Sequence, residues 1–341
     1  MSGGVDSSLS ALLLKEQGYR VIGLFMRNWE DLDGSCQAVK DQEDVARVAD
    51  QLQIPFYTVN MVEAYRNQVF KEFLDDLQKG LTPNPDILCN KRIKFKAFFD
   101  KAIELGADFL ATGHYAQVGE GGCLKKGRDP GKDQSYFLHA IEGNVLPRVL
   151  FPVGGLVKEE VRRLARQANL ATAEKKDSTG ICFVGKRDFK PFIGQYLGFQ
   201  KGPLCRLDGT VVGEHDGAVF YTIGQRKGIG LGGEGEAWFV VAKEIESNRV
   251  YVERGENHPA LYSSELIATD LTWIQAPPLS PRCQAKIRYR QTDQPCHVEI
   301  REGLAFVRFD QAQRAITPGQ AVVFYQGDLC LGGGKIARAI L

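Results

Sequence analysis

Apolar positions in the first 170 residues follow two alternating rhythms. In SSLSALLLKEQGY (7–19), KDQEDVARVADQLQI (40–54) and VEAYRNQVFKEFLDDLQKG (62–80) they recur every three or four positions, the spacing of one helix face. Between them, RVIGLFM (20–26) and FYTVNM (56–61) are short apolar or β-branched runs, which read as buried strands. The alternation continues with a helix over IKFKAFFDKAIELGA (93–107), a strand over DFLATGHY (108–115) and a last helix over KEEVRRLARQANL (158–170), where Lys158, Arg162, Arg163 and Arg166 concentrate positive charge. Such alternation predicts an α/β, doubly wound domain with a parallel sheet, whose ligands bind beyond the carboxyl ends of the strands. Met26, the loop around residues 84–89 and Gly113–His114 all fall at such ends. GEGGCLKKGRDPGKDQSYFL (119–138) breaks the rhythm and reads as a surface excursion.

From about residue 185 the period shortens to two. GAVFYTIG, AWFVVAKEI and NRVYVER form one set, and CQAKIRYR, CHVEIRE, LAFVRFD and QAVVFYQGDLCLGGGKIA form another after Pro259. These predict two small β-rich domains, the last barrel-like, with LGGGKIA as a hairpin turn. The expected domains are 1–185, 186–258 and 259–341. Composition agrees with a globular chain of this kind, 43% hydrophobic and 25% charged. No apolar run approaches the roughly 20 residues of a membrane span, and no charged-then-apolar leader opens the chain, so the expected location is cytoplasmic, away from membranes. A net charge of +1 neither demands nor excludes nucleic acid. The eight cysteines are scattered without C-x-x-C spacing, which speaks against a disulfide scaffold, a zinc ribbon or a cysteine-held cluster. Cys123, Cys205, Cys283, Cys296 and Cys330 read as structural; Cys36, in the polar DLDGSCQAV, stays open.

Two stretches carry candidate chemistry. In MSGGVDSS, adjacent glycines followed by Asp6, Ser7 and Ser8 lead straight into a helix, so backbone N–H groups, hydroxyls and the helix N-terminus can cradle an oxyanion. The Gly-Lys-Ser/Thr of a Walker A loop is absent at this point. In NPDILCNKRIKF (84–95), Cys89 stands between a rigid Asn-Pro-Asp turn and Lys91, Arg92 and Lys94. The residues alone leave open a small apolar filler or a thiolate facing an anionic substrate, its pKa lowered by Lys91 and Arg92. His114 in TGHY is equally open, between a strand-end hydrogen-bonder and a catalyst.

SGGVDS is similar to the PP-loop of the ATP pyrophosphatases, which cleave ATP between the α and β phosphates. With NPDILCNKRIKF, ATGHYA, KDQSYFL, DSTGICFVG, FYTIGQRKGIG and KIRYRQ in that order, the whole chain resembles the bacterial tRNA-specific 2-thiouridylases (MnmA/TrmU family). The resemblance implies an adenine nucleotide alpha hydrolase-like PP-loop domain that binds ATP with Mg²⁺ through Met1, Ser2, Gly3, Gly4, Val5, Asp6, Ser7, Ser8, Met26 and Gly113, Asp6 being a candidate for the metal. It further implies Cys182 as persulfide carrier, Cys89 as nucleophile with a transient Cys89–Cys182 disulfide, and contact with the target base by Asn84, Pro85 and Asp86, the last a general acid/base candidate. Lys132, Asp133, Gln134, Arg288 and Tyr289 match its tRNA-contacting positions. Implied partners are tRNAs for Lys, Glu and Gln and a sulfur donor, either a cysteine desulfurase or a relay protein. In the family a β-strand precedes the PP-loop, whereas this sequence starts at Met1 inside the motif, so the expectation is a coding start further upstream. The rival readings are another AMP-forming PP-loop ligase and a tRNA-binding form without turnover.

Overall fold

The structure, a computed structural model, describes residues 1–30, 37–177, 187–277 and 280–340. Helix α1 (Val5–Glu16) follows the glycine turn directly, and buries Val5, Leu9 and Leu14 on one face. Strand β1 (Gly23–Arg27) pairs in parallel with β2 (Phe56–Asn60), flanked by α2 (Gln37–Leu52). A second parallel pair joins β3 (Leu110–Ala111) to β6 (Val149–Leu150). The expected parallel sheet is therefore present as two separate ladders among the described residues. Met1 lies at the edge of β1, where its nitrogen donates to the Leu24 carbonyl.

Residues 85–104 form one helical stretch, eight residues longer at its start than the periodicity suggested. The reason is local: Asn84 caps it, its side-chain oxygen accepting from the amides of Asp86 (3.2 Å) and Ile87 (3.4 Å), with Pro85 in the first turn. From Cys89 to Ala97 the helix widens into π-type turns, with Phe95 at φ −101°, ψ 17°. Such widening is often found at functional sites.

The segment 119–138 is not a surface excursion. Strands β4 (Ala116–Gly119) and β5 (Cys123–Lys126) make a hairpin, and Leu124, Ser135, Tyr136 and Leu138 are buried. The glycines and lysines that suggested a loop serve its turns and edges, while β5 pairs with the last strand of the chain, Leu124 opposite Cys330. The β4–β5 hairpin is thus an extension of the C-terminal sheet.

The middle region holds β7 (Gly202–Cys205), β8 (Val211–His215), β9 (Trp238–Glu244) and β10 (Arg249–Arg254) in the order β8-β7-β10-β9. GAVFYTIG supplies no strand; Ala218–Phe220 is a short 3₁₀ turn. C-terminal strands β11 (Tyr262–Trp273), β12 (Arg282–Lys286), β13 (Gln294–Arg301), β14 (Leu304–Arg314), β15 (Ala321–Gln326) and β16 (Leu329–Ile340) run in the order β11-β14-β13-β12-β15-β16, and β16 returns to β11 to close a six-stranded barrel. Closure leaves no free edge within the ring. LGGGKIA lies inside β16 rather than at a turn. A side chain at Gly332 would meet Thr272 backbone, and one at Gly334 would come within 2.6 Å of the Thr269 carbonyl, so glycine permits the β11–β16 seam. Among the described residues no helix is long and apolar enough to cross a membrane.

Candidate active site

The glycine turn and the carboxyl end of β3 meet tightly. A Cβ at Gly113 would lie 2.7 Å from the Ser7 amide nitrogen and 2.8 Å from the Asp6 carbonyl carbon, so glycine lets this strand end seat against the start of α1. Gly3 has φ +72°, and Ser7 and Ser8 hydroxyls both donate to the Gly4 carbonyl, tying the turn to the helix it opens. Val5 is buried beneath, and Met26 sits near the carboxyl end of β1 opposite Val59.

Asp6 is held from the far end of the domain. Lys158 Nζ donates to both its oxygens at 2.7 and 2.8 Å, and the Tyr115 hydroxyl donates to Oδ1 at 2.7 Å. Burial, and then this hydrogen bond, raise the Tyr115 pKa, so the phenol stays protonated and donates. Lys158 also pairs with Asp177 at 2.8 Å, where Lys132 (2.7 Å) and Arg162 (2.9 Å) converge. Burial alone would push the Asp177 carboxyl up; hydrogen bonds from Lys132 and Lys158 outweigh it and bring the pKa down to about 2. This network joins the glycine turn to Lys132, Arg162 and Asp177. It escaped sequence reading because Asp6, Tyr115, Lys158 and Asp177 share no spacing; the cationic helix start was the sole signal.

A second cluster begins one residue beyond Gly113. His114 Nδ1 is 2.7 Å from the Thr112 hydroxyl and Nε2 is 3.5 Å from Lys94 Nζ, with the rings of Phe95 and Phe151 against the imidazole. Burial, reinforced by the Lys94 ammonium, holds the His114 pKa well below the usual value. A neutral imidazole therefore accepts from Lys94 at Nε2 and donates from Nδ1 to Thr112. Lys94 faces Asp86 as well: burial raises the Asp86 carboxyl pKa, and the Lys94 charge pulls it back down. Asp86 and Cys89 are three residues apart on one helix face, and Cys89 is only 2% exposed. Gly113 thus abuts Asp6 and Ser7, the adjacent His114 lies 3.5 Å from Lys94, and the Lys94 charge acts on Asp86.

The other cations of NPDILCNKRIKF point elsewhere. Arg92 pairs with Glu72 at 2.6 Å and Lys91 reaches the Thr272 hydroxyl of the barrel at 3.3 Å, so neither is the cation beside Asp86. That place belongs to Lys94, which the residue pattern alone could not single out. Cys36 and Cys182 lie outside the described residues, as does any contact between Cys89 and Cys182. The structural cysteines Cys123, Cys205, Cys283, Cys296 and Cys330 are all buried.

The KDQ motif is a joint. The Asp133 carboxylate, 5% exposed, accepts from the amides of Gly127 and Ser135 and from the Ser135 hydroxyl. Gln134 and Tyr115 exchange hydrogen bonds at 2.8 and 3.0 Å. Tyr289 donates to the Lys132 carbonyl at 3.2 Å and packs on Phe137, while Arg288 donates to the Ala315 carbonyl at 2.8 Å.

Residues 1–186 match the model of the tRNA methyl transferase HUP domain, 190–254 that of its PRC-barrel domain and 263–336 that of the aminomethyltransferase beta-barrel domain. Fold and site thus define an ATP-binding HUP, or PP-loop, protein with two β-domains attached. Over nearly its whole length the chain is 60% identical to tRNA-specific 2-thiouridylase MnmA of Protochlamydia amoebophila, covering 99% of this chain and 92% of that protein. It is 55% identical to the protein of that name from Oceanobacillus iheyensis (100% and 94%) and 54% identical to that from Bacillus subtilis (98% and 93%). The chain belongs to the tRNA-specific 2-thiouridylase family.

Proposed function

We propose that the chain makes 2-thiouridine at the wobble position of tRNAs for Lys, Glu and Gln by activating the uracil with ATP and then replacing oxygen with sulfur. The enzyme is a tRNA sulfurtransferase. A uracil oxygen is a poor leaving group, so O2 first attacks the α-phosphorus of ATP. That bond forms, pyrophosphate departs, and the N3 proton passes to Asp86. The terminal sulfur of a Cys182 persulfide then attacks C2 and AMP leaves with the old oxygen. The Cys89 thiolate attacks the Cys182 sulfur, the outer sulfur stays on C2 as the thiocarbonyl, and a Cys89–Cys182 disulfide forms. A thiol reductant reopens it, and a cysteine desulfurase or relay protein reloads Cys182.

The observation that supports this reading is the approach of the glycine turn to Gly113, next to His114 and its neighbour Lys94, whose charge acts on Asp86, with Cys89 on the same helix face as Asp86. It joins a nucleotide cradle, formed by Met1–Ser8 with Met26 and Gly113, to a base-binding segment, Asn84–Pro85–Asp86. The buried, raised carboxyl of Asp86 suits a group that must take and release a proton. Asp6 is the carboxylate placed to hold Mg²⁺; one acidic ligand fits a metal that keeps several waters and takes further oxygens from phosphate. In the structure Lys158 occupies both Asp6 oxygens, so its ammonium would cede them to the metal and keep Asp177. When bound, Mg²⁺ neutralises phosphate charge. Lys132, Asp133 and Gln134 serve tRNA by shaping the joint, and Arg288 and Tyr289 face it from the barrel. The reaction suits the cytoplasm, where thiols stay reduced.

Incubating the protein with unmodified tRNA, ATP, Mg²⁺, a cysteine desulfurase and cysteine should give 2-thiouridine in the digested RNA by mass spectrometry. Cys89→Ala and Cys182→Ala should give none. Thiouridine formed equally well by both variants would sink the thiol mechanism.

A further inference from the structure

A cleft of about 350 Å³ lies between the middle domain and the barrel, lined by Thr222, Gly224, Gln225, Arg288, Thr317 and Gln320 among others. Thr82, two residues before Asn84, touches both. Its amide donates to the Pro318 carbonyl and its carbonyl accepts from Gln320 Nε2, both at 2.9 Å, while its hydroxyl stands 3.4 Å from that of Thr222. The cleft therefore opens beside the segment assigned above to the target base.

Two guanidinium groups lie close to Gly224 in the wall of this cleft, Arg288 as part of its lining and Arg314 beside it. A Cβ built on Gly224 would lie 3.4 Å from Arg288 Nη2 and 3.6 Å from Arg314 Nη1, and 2.7 Å from Ala315 Cβ. Gly224 also has φ +83°, so both space and backbone favour glycine in front of the pair. Neither arginine is seen to be neutralised by a carboxylate among the described residues. Arg288 donates to the Ala315 carbonyl, Arg314 donates through Nε to the Glu256 carbonyl and lies over the Phe239 ring. Arg314 Nη2 is buried without an acceptor. Burial and the Arg314 charge both act against the Arg288 cation. Two like charges held together with donors to spare normally mark a place for an anion.

We propose that the Arg288–Arg314 pair, with the hydroxyls and amides of Thr222, Gln225, Thr317 and Gln320 around it, is a binding site for a backbone phosphodiester of the bound tRNA, near the target nucleotide. This rests on the tRNA reading above. It adds Arg314 and the Thr222–Gln225 turn to the RNA surface and assigns them a phosphate rather than a base. Held here, one phosphate fixes the chain that leads into the Asn84–Asp86 segment.

The test compares wild type, Arg314→Gln and Arg314→Lys in equilibrium tRNA binding over a range of salt, alongside thiouridine formation. Arg314→Gln should bind several-fold more weakly and lose about 1 from the slope of log affinity against log salt. Arg314→Lys should keep the slope, because it keeps the charge. Ethylation interference on wild type should identify phosphates whose neutralisation weakens binding, and at least one should cease to matter in Arg314→Gln. Inorganic phosphate should weaken tRNA binding to wild type more than chloride of equal ionic strength does, and should lose that excess effect in Arg314→Gln. An unchanged slope and interference pattern in Arg314→Gln, with a wild type that binds and thiolates tRNA, would overturn the phosphate site. A wild type that neither binds nor thiolates tRNA would indict the functional reading itself. Thermal melting identifies a variant that is merely unfolded, and the wild-type interference map then decides: no protected phosphate near the target nucleotide defeats the proposal.

Discussion

At the level of single residues, the proposed chemistry turns on Asp86 and its neighbour Lys94. The folded environment raises the Asp86 pKa, so the folded state holds its proton at pH values where the unfolded chain has lost it. Its contribution to stability therefore falls as pH rises above the ordinary carboxyl range. Asp86→Asn should accordingly melt at a higher temperature than wild type at neutral pH, lose that advantage at acidic pH below the ordinary carboxyl value, and form no AMP with tRNA. Calorimetry across pH, paired with an AMP assay, checks both halves. Lys94→Ala removes the charge that restrains Asp86, so the acidic limb of the activity profile should move to higher pH, and Lys94→Arg should return it toward wild type. An unmoved limb in Lys94→Ala would separate the two groups. Asp177 works in the opposite direction. Its pKa of about 2 adds stability that is complete above the ordinary value of 3.8 and is lost as pH falls through 2. Asp177→Asn should cost no more than about 1 kcal/mol at neutral pH, because solvent screens these partly exposed pairs, and nothing at the acid end, read from denaturant melts. Of these candidates, Cys89 stood out from the Asn-Pro-Asp turn and its neighbouring cations, and Asp86 from the family resemblance alone. Lys94 was not separable from Lys91 and Arg92, because helix widening between Cys89 and Ala97 and the partners Glu72 and Thr272 decide where each cation points.

At the scale of elements, the apolar rhythm located α1, β1, α2 and β2 to within a few residues, since each buries one face or a short run. It missed the start of the 85–104 helix because a cap, not periodicity, begins it. Asn84→Ala should destabilise the protein by about 1 kcal/mol in denaturant titration, and should slow AMP formation by loosening Asp86. The hairpin of β4 and β5 was hidden by glycines and lysines whose partner strand, β16, lies some 200 residues later in sequence. Leu124 is fully buried at that seam, so Leu124→Ala should cost about 2–5 kcal/mol. The glycine run 332–334 misled in the same way: three glycines suggest a turn, but two packed strands need the absence of side chains just as much.

For the whole molecule, period-two patterning after residue 185 announced β-rich domains, the last of them barrel-like as found, yet not that β16 is the closing strand and also carries the β4–β5 hairpin. Those are long-range pairings that no local signal encodes. Lys126 pairs with Asp293, Lys335 with Asp76 at 2.5 Å, and Thr82 with the barrel, so the barrel is fastened to the catalytic domain on several sides. The account's central claim is that one site activates uracil with ATP and a separate pair of thiols supplies sulfur. The measurement that tests it most directly is pyrophosphate release in the presence of unmodified tRNA, followed together with thiouridine in wild type, Asp86→Asn, Cys89→Ala and Cys182→Ala. Wild type should give both products and Asp86→Asn neither. The two cysteine variants should still release pyrophosphate in a tRNA-dependent burst while making no thiouridine. Full pyrophosphate release from Asp86→Asn, or tRNA-independent release from wild type, would contradict it.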